Sequence, residues 1–156
     1  MNRASLSALA VLVALAALVA GCGGGSDTTD SATVTLTKTE FVKQGDAICE
    51  EASEDNQAEA EEFAKENGFE LEKASKEQLE EAVGAVLVPS LEKQAEELDA
   101  LGAPQGDEEQ VEEIVVALED ATGEIEDDPS LVFKAKTLQK ANQLAEAYGF
   151  KVCGKG

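Results

Sequence analysis

Residues 107–125 read DEEQVEEIVVALEDATGEI, and this stretch decides the fold class. Its apolar residues recur at intervals of three and four, whereas most of its carboxylates fall outside that stripe. The stripe consists of Val111, Ile114, Val115, Leu118, Ala121 and Ile125. Such a period is typical of an amphipathic helix that packs one face on a core. Asp107, with Glu108-Glu109-Gln110 after it, predicts a capping box at the start of this helix.

An earlier helix is predicted to begin near Lys38. Thr37 and Glu40 have the spacing of a capping box, in which a hydroxyl and a carboxylate each accept from a free backbone amide. The helix is predicted to end at Asn67-Gly68, where glycine can adopt the left-handed cap. Gly45 is a weak point inside it, because glycine is a poor helix former.

A second helix is predicted to follow Ser75, which opens another capping box, and to end at Gly102. Pro89 lies inside it and lacks the amide that would bond to the carbonyl of Ala85, so we expect a single helix kinked there. The stretch Ala82–Val88 has no polar side chain and is predicted to be buried on most sides. A core strand is the alternative for this stretch, although a sheet needs more than one strand.

The last helix is predicted to run from Asp128-Pro129 to Tyr148. Aspartate is a good N-cap and proline is favoured at the first helical position, while Gly149 supplies the final cap. Together with the helix over 107–125, this makes four helices with short connections. The sequence therefore predicts an all-α antiparallel bundle over residues 38–156.

The amino terminus has the layout of a secretory signal peptide over residues 1–21. Arg3 precedes an apolar run, Leu9 to Ala20, that is too short to span a bilayer and ends in small residues before Cys22. Val19-Ala20-Gly21-Cys22 resembles a bacterial lipobox, in which the cysteine becomes the lipidated first residue. An uncleaved transmembrane helix and an ordinary secretory signal are the alternatives. Residues 22–37 are predicted to be a flexible, lipid-anchored linker.

Two cysteines remain once Cys22 is assigned to the lipid. Cys49 and Cys153 would meet in an oxidising compartment, so a disulfide between them is predicted. It would fasten the chain after the last helix to the first helix. Free or redox-active thiols are the alternative, but no Cys-x-x-Cys spacing supports them.

The charge is strongly acidic. Without Arg3 the chain keeps 11 lysines against 33 acidic residues, a formal charge of about −22. Such a surface repels nucleic acid and attracts cations and basic partners. Residues 44–128 hold 29 acids and 4 lysines, whereas residues 131–156 hold 5 lysines and one acid. The lysines of the last segment either complement the other helices or form a basic binding face.

Few residue patterns in the sequence are typical of a catalytic or metal-binding site. We therefore expect that the protein is not an enzyme and has no cofactor. The chain has no histidine, which removes the usual triads and the Glu-x-x-His motif of di-iron bundles. Ser90 and Lys93 match Ser-x-x-Lys, but the companion motifs of penicillin-binding enzymes are missing. The acidic clusters do not follow the order of an EF-hand loop.

Three features carry a resemblance that covers nearly the whole mature chain. They are the lipobox, the spacing Phe41…Ile48-Cys49 and the ending Tyr148-Gly149-Phe150-Lys151-Val152-Cys153-Gly154. In these features the chain resembles the small helical lipoproteins of high-GC Gram-positive bacteria. The resemblance implies a cysteine-stapled bundle on the extracytoplasmic face of the cell membrane, held by the lipid on Cys22. It brings no catalytic residue with it.

Two functions are compatible with these observations. The first is a non-catalytic interaction or accessory module that meets another envelope protein. The second is a ligand-binding lipoprotein that holds a small molecule, or cations such as calcium. A pocket is most readily expected beside Ala82–Val88 and Pro89, because a kink separates neighbouring helices locally; plain core packing is the alternative there.

Overall fold

The computed structural model describes residues 35–134 and 136–155, which form helices and turns with no strand among them. The predicted signal peptide, the predicted lipid on Cys22 and most of the predicted linker lie outside these ranges. The helices are α1 Lys38–Glu66, α2 Lys76–Ala82, α3 Val88–Ala100, α4 Glu108–Asp127 and α5 Gln139–Tyr148. Two short 3₁₀ helices occupy Leu71–Lys73 and Pro129–Phe133.

The α2 and α3 segments form one continuous helix, as predicted, because a π-helical stretch over Val83–Leu87 joins them. The backbone N–H of Val88 donates to the carbonyl of Val83, five residues earlier. This wider turn precedes Pro89, the residue that cannot donate to the ladder. The interruption by proline therefore takes the form of a π turn.

The predicted capping boxes of the first two helices are confirmed. The Thr37 hydroxyl accepts from the amide of Glu40, and the Glu40 carboxylate accepts from the amide of Thr37 at 3.0 Å. Ser75 and Gln78 make the same exchange at the start of α2. Each box pairs two amides that the helix itself leaves free.

The four helices, with α2 and α3 counted as one, run alternately up and down. Lys38 at the start of α1 lies 3.5 Å from the carboxylate of Asp107, the residue before α4. Asp107 also accepts a hydrogen bond from Tyr148 at the end of α5. We call this the proximal end of the bundle, because residues 35–37 lead into α1 there. The opposite end, where α1 and α4 end and α2 begins, is the distal end.

The fourth predicted helix is too long, and the structure corrects it. Residues from Pro129 to Phe133 form a 3₁₀ helix, and α5 begins only at Gln139. Asp128 does cap the first turn, since its carboxylate accepts from the amide of Ser130. The helix then stops because Lys134 is extended and the Thr137 hydroxyl donates to the Leu131 carbonyl at 2.8 Å. That side-chain bond offers the backbone an alternative to the helix.

The core divides into two clusters. The proximal cluster contains three aromatic residues, and its members are Phe41, Ala95, Leu98, Val111, Ile114, Val115, Ala145, Tyr148 and Phe150. The distal cluster is smaller and wholly aliphatic, with Val83, Val88, Leu91 and Ile125. Leu36, in the predicted linker, packs against the proximal cluster.

The stretch Ala82–Val88 is less buried than the sequence predicts. Val83, Val86 and Val88 are buried, but Gly84 and Ala85 face solvent. A helix at the edge of a four-helix bundle keeps one face in water, which explains the difference. Among the described helices, none is long and apolar enough to cross a membrane.

Candidate functional site

The carboxylate of Asp46 holds the chain after α5 against α1. One of its oxygens accepts from the amides of Lys151 at 2.9 Å and Val152 at 2.7 Å, and the other lies 3.0 Å from the amide of Lys151. An ionised acceptor makes such bonds stronger than neutral ones. Sequence reasoning missed this residue, because an aspartate inside an acidic helix gives no sign of a partner about a hundred residues away.

The predicted disulfide is confirmed one turn further along α1. Cys49 and Cys153 are bonded, with Cα atoms 5.3 Å apart. Gly45 lies one turn before Cys49, and it is buried rather than merely a weak point of the helix. A Cβ there would overlap the ring of Phe150 and come within 2.9 Å of Leu98 Cδ2. Glycine lets the tail, residues 150–155, lie directly on the helix backbone.

Asp107 does not cap α4, contrary to the prediction, because its side chain points elsewhere. Its carboxylate accepts from the Tyr148 hydroxyl at 2.9 Å and pairs with Lys38. The Lys38 ammonium also lies 3.8 Å from the centre of the Tyr148 ring. Burial, together with the bond to Asp107, raises the pKa of the Tyr148 hydroxyl. This cluster joins the starts of α1 and α4 to the end of α5.

A cavity of about 420 Å³ lies among all four helices and the tail. Its walls are mainly apolar, formed by Leu87, Leu91, Leu98, Ile114, Leu118, Leu138, Ala141, Ala145, Val152 and the two disulfide cysteines. Leu87 and Leu91, which lie on either side of Pro89, both line the cavity. Its volume falls within the range of small-molecule sites.

Few polar side chains line this cavity. Ser53, Asn56 and Gln94 contribute neutral side chains, and Lys151 and Lys155 contribute the charged ones. The Oδ1 atom of Asn56 is buried and accepts no hydrogen bond from any described residue. Ser53 and both lysines are exposed, so they mark the mouth of the cavity.

A smaller cleft of about 170 Å³ lies on the other side of Asn56, between α1 and α3. Its lining carries four carboxylates and one lysine: Glu51, Asp55, Glu59, Glu97 and Lys93. Ser90 also lines this cleft. The side chain of Gln94 lies within hydrogen-bonding distance of the Ser90 hydroxyl, at 3.4 Å. The two cavities thus differ in charge although they share a wall.

An apolar groove of about 320 Å³ opens at the distal end between α1 and the α2 segment. Its lining consists of Asn56, Gln57, Ala60, Leu71, Leu79, Ala82, Val83, Val86, Leu87 and Phe133. The Phe133 side chain is 54% exposed, an unusual fraction for a phenylalanine. Exposed Glu59, Glu61 and Glu81 lie on the same two helices.

Metal binding gains no geometric support. Within residues 35–134 and 136–155, no three Asp, Glu or Cys side chains come together as a metal site would require. Acidic residues at helical spacing instead spread over the solvated faces of α1 and α4.

No known protein family, curated protein or solved structure matches this chain.

Proposed function

We propose that the protein is a non-catalytic interaction module, anchored to the extracytoplasmic face of the cell membrane by a lipid on Cys22. The observation that supports it best is the distal groove with Phe133 exposed beside it. Exposed apolar surface rimmed by polar residues marks interaction sites on soluble domains. This groove lies at the distal end of the bundle.

The charge of the two helices that form the groove suggests the kind of partner. The lining of the groove has no charged residue, but Glu59, Glu61 and Glu81 are exposed on those helices. Acidic surfaces steer basic partners and suppress acidic ones. We therefore propose an envelope protein that presents an apolar side chain flanked by lysines or arginines. The same charge disfavours nucleic acid as a partner.

Site-specific crosslinking in intact cells tests this proposal. A benzophenone side chain is placed at position 133, and the matched control carries it at Lys43, an exposed site near the proximal end. The proposal predicts one discrete protein adduct from position 133 and none from position 43. Equal labelling at both positions, or no adduct at position 133, contradicts it.

The anchor is tested separately. Replacing Cys22 with alanine should release the chain from the membrane or leave the precursor unprocessed. A correctly processed Cys22→Ala chain that stays on the membrane contradicts lipidation at this cysteine.

A second candidate function is supported by a different observation. The 420 Å³ cavity combines apolar walls with a small set of polar groups, which is the usual composition of a ligand site. A lipoprotein that holds a small molecule between its helices fits this arrangement.

A further inference from the structure

The lysines at the mouth of the 420 Å³ cavity are unusual for this chain. The sequence holds 33 acidic and 12 basic residues, yet no carboxylate is among the described residues that line the cavity. Lys151 and Lys155 are the two charged residues of that lining. Neither forms an ion pair with a carboxylate of the described residues.

The tail places both lysines where they are. Asp46 accepts from the backbone amide of Lys151, and the disulfide fixes Cys153 two residues later. The carboxylate of Asp46 is thus occupied by backbone N–H groups, while the ammonium of Lys151 remains at the mouth. Lys151 and Lys155 thus bring two ammonium groups to the mouth, while the nearby carboxylates of Asp46 and Glu146 lie against the backbone of the tail.

The interior of the cavity, in contrast to its mouth, is apolar. Leu91, Leu98 and Ile114 are buried side chains whose apolar atoms face the cavity. A ligand that satisfies both regions has a hydrocarbon chain and one anionic head group. Apolar burial holds the chain, and the lysines pair with the head group.

We propose that this cavity binds single-chain amphiphiles with an anionic head group, a carboxylate or a phosphate. The inference rests on the second candidate function and makes its ligand class specific.

The test measures binding of three amphiphiles, each below its micelle concentration, to the full chain with its disulfide intact. Dodecanoate and dodecyl phosphate carry the two anionic head groups, and dodecyl maltoside is the neutral comparison. We expect saturable binding of at least one anionic compound. The tighter of the two identifies the head group.

Two pairs of variants locate the site. The double variant Lys151→Glu with Lys155→Glu should weaken binding of the anionic compound about tenfold or more, because like charges then face the head group. Lys140→Glu, outside the lining, should change it by less than about twofold. Ser53→Trp, at the exposed mouth, should block binding, whereas Glu54→Trp on the next residue should not.

Three other outcomes of these binding measurements would contradict the proposal. Equal affinity for dodecyl maltoside, unaffected by the lysine variants, would leave a ligand-binding function and refute the anionic head group. Binding that survives Ser53→Trp would place the ligand elsewhere. The absence of saturable binding by all three compounds refutes this inference, and the crosslinking test at position 133 decides the interaction function independently.

Discussion

The proximal and distal ends of the bundle are built on different principles. The proximal end has three packed aromatic rings, a disulfide, and two carboxylates that tie separate parts of the chain together. The distal end has a cluster of four buried aliphatic residues, a π turn and one aromatic pair, Phe63 with Phe69, and it leaves Phe133 in solvent. The difference indicates that long-range bonds secure the proximal end, whereas the 420 Å³ cavity and the apolar groove lie in the middle of the bundle and at its distal end.

The strongest test of this difference removes the disulfide. Its cysteines are 104 residues apart, and the chain-entropy model gives about 4.7 kcal/mol for a loop of roughly that length. We expect Cys49→Ser with Cys153→Ser to lower the free energy of unfolding by about 2–5 kcal/mol in urea titrations.

The control for that experiment is the wild-type chain under reducing conditions, which should lose the same stability. A double serine variant as stable as the oxidised wild type would show that the aromatic cluster alone secures the proximal end.

Adding one methyl group to Gly45 should also destabilise the proximal end. Its Cβ would overlap Phe150 and crowd Leu98, so we expect Gly45→Ala to cost about 1–3 kcal/mol. Gly123→Ala is the matched control, because Gly123 is helical, exposed and has open space around it. That change should stabilise the protein by about 1 kcal/mol. Similar effects of the two changes in chemical denaturation would contradict the close packing of the tail on α1.

The hydrogen bonds of Asp46 are expected to contribute somewhat less. Asp46→Ala leaves the amides of Lys151 and Val152 without their acceptor, and we expect a loss of about 1.5–3 kcal/mol. Phe133→Ser at the exposed distal position should change stability by less than about 0.5 kcal/mol. Thermal unfolding of both variants decides whether the two ends differ. A larger loss from Phe133→Ser would reverse the comparison.

Acid should weaken both ends alike, because each has a capped helix start. Hydrogen bonds from Thr37 lower the pKa of Glu40 at the proximal end, and a hydrogen bond from Ser130 lowers the pKa of Asp128 at the distal end. A carboxyl whose pKa is lower in the folded state contributes stability above its unfolded pKa, near 4.5 for Glu40.

That contribution is lost as the pH falls through the folded value. We therefore expect a modest decline in stability as the pH falls below about 4.5, measured in high salt to screen the repulsion of the acidic surface. Glu40→Gln, which keeps the hydrogen-bonding shape, should flatten part of the decline. An unchanged profile would mean that the charge of Glu40 contributes nothing at the proximal end.

Much of the fold could be predicted because its signals are local. Thr37 and Ser75 begin helices through side chains three residues away from their partners, and the stripe of α4 needs only its own sequence. The disulfide followed from the number of cysteines. The long-range role of Asp46 and the pairing of Asp107 with Tyr148 could not be predicted, because each depends on which helix ends meet. The stop before α5 was missed because Thr137 bonds backward to the Leu131 carbonyl, a contact that no pattern of apolar residues encodes.

Native-state hydrogen exchange tests the contrast between the two ends most directly. The amide of Val152, bonded to Asp46, and the amides of α1 near Phe41 should exchange only on global unfolding. The amides of Val88 in the π turn and of Lys134 after the 3₁₀ helix should exchange through local openings of lower free energy. Equal protection at both ends, or earlier exchange at Val152 than at Val88, would contradict the account.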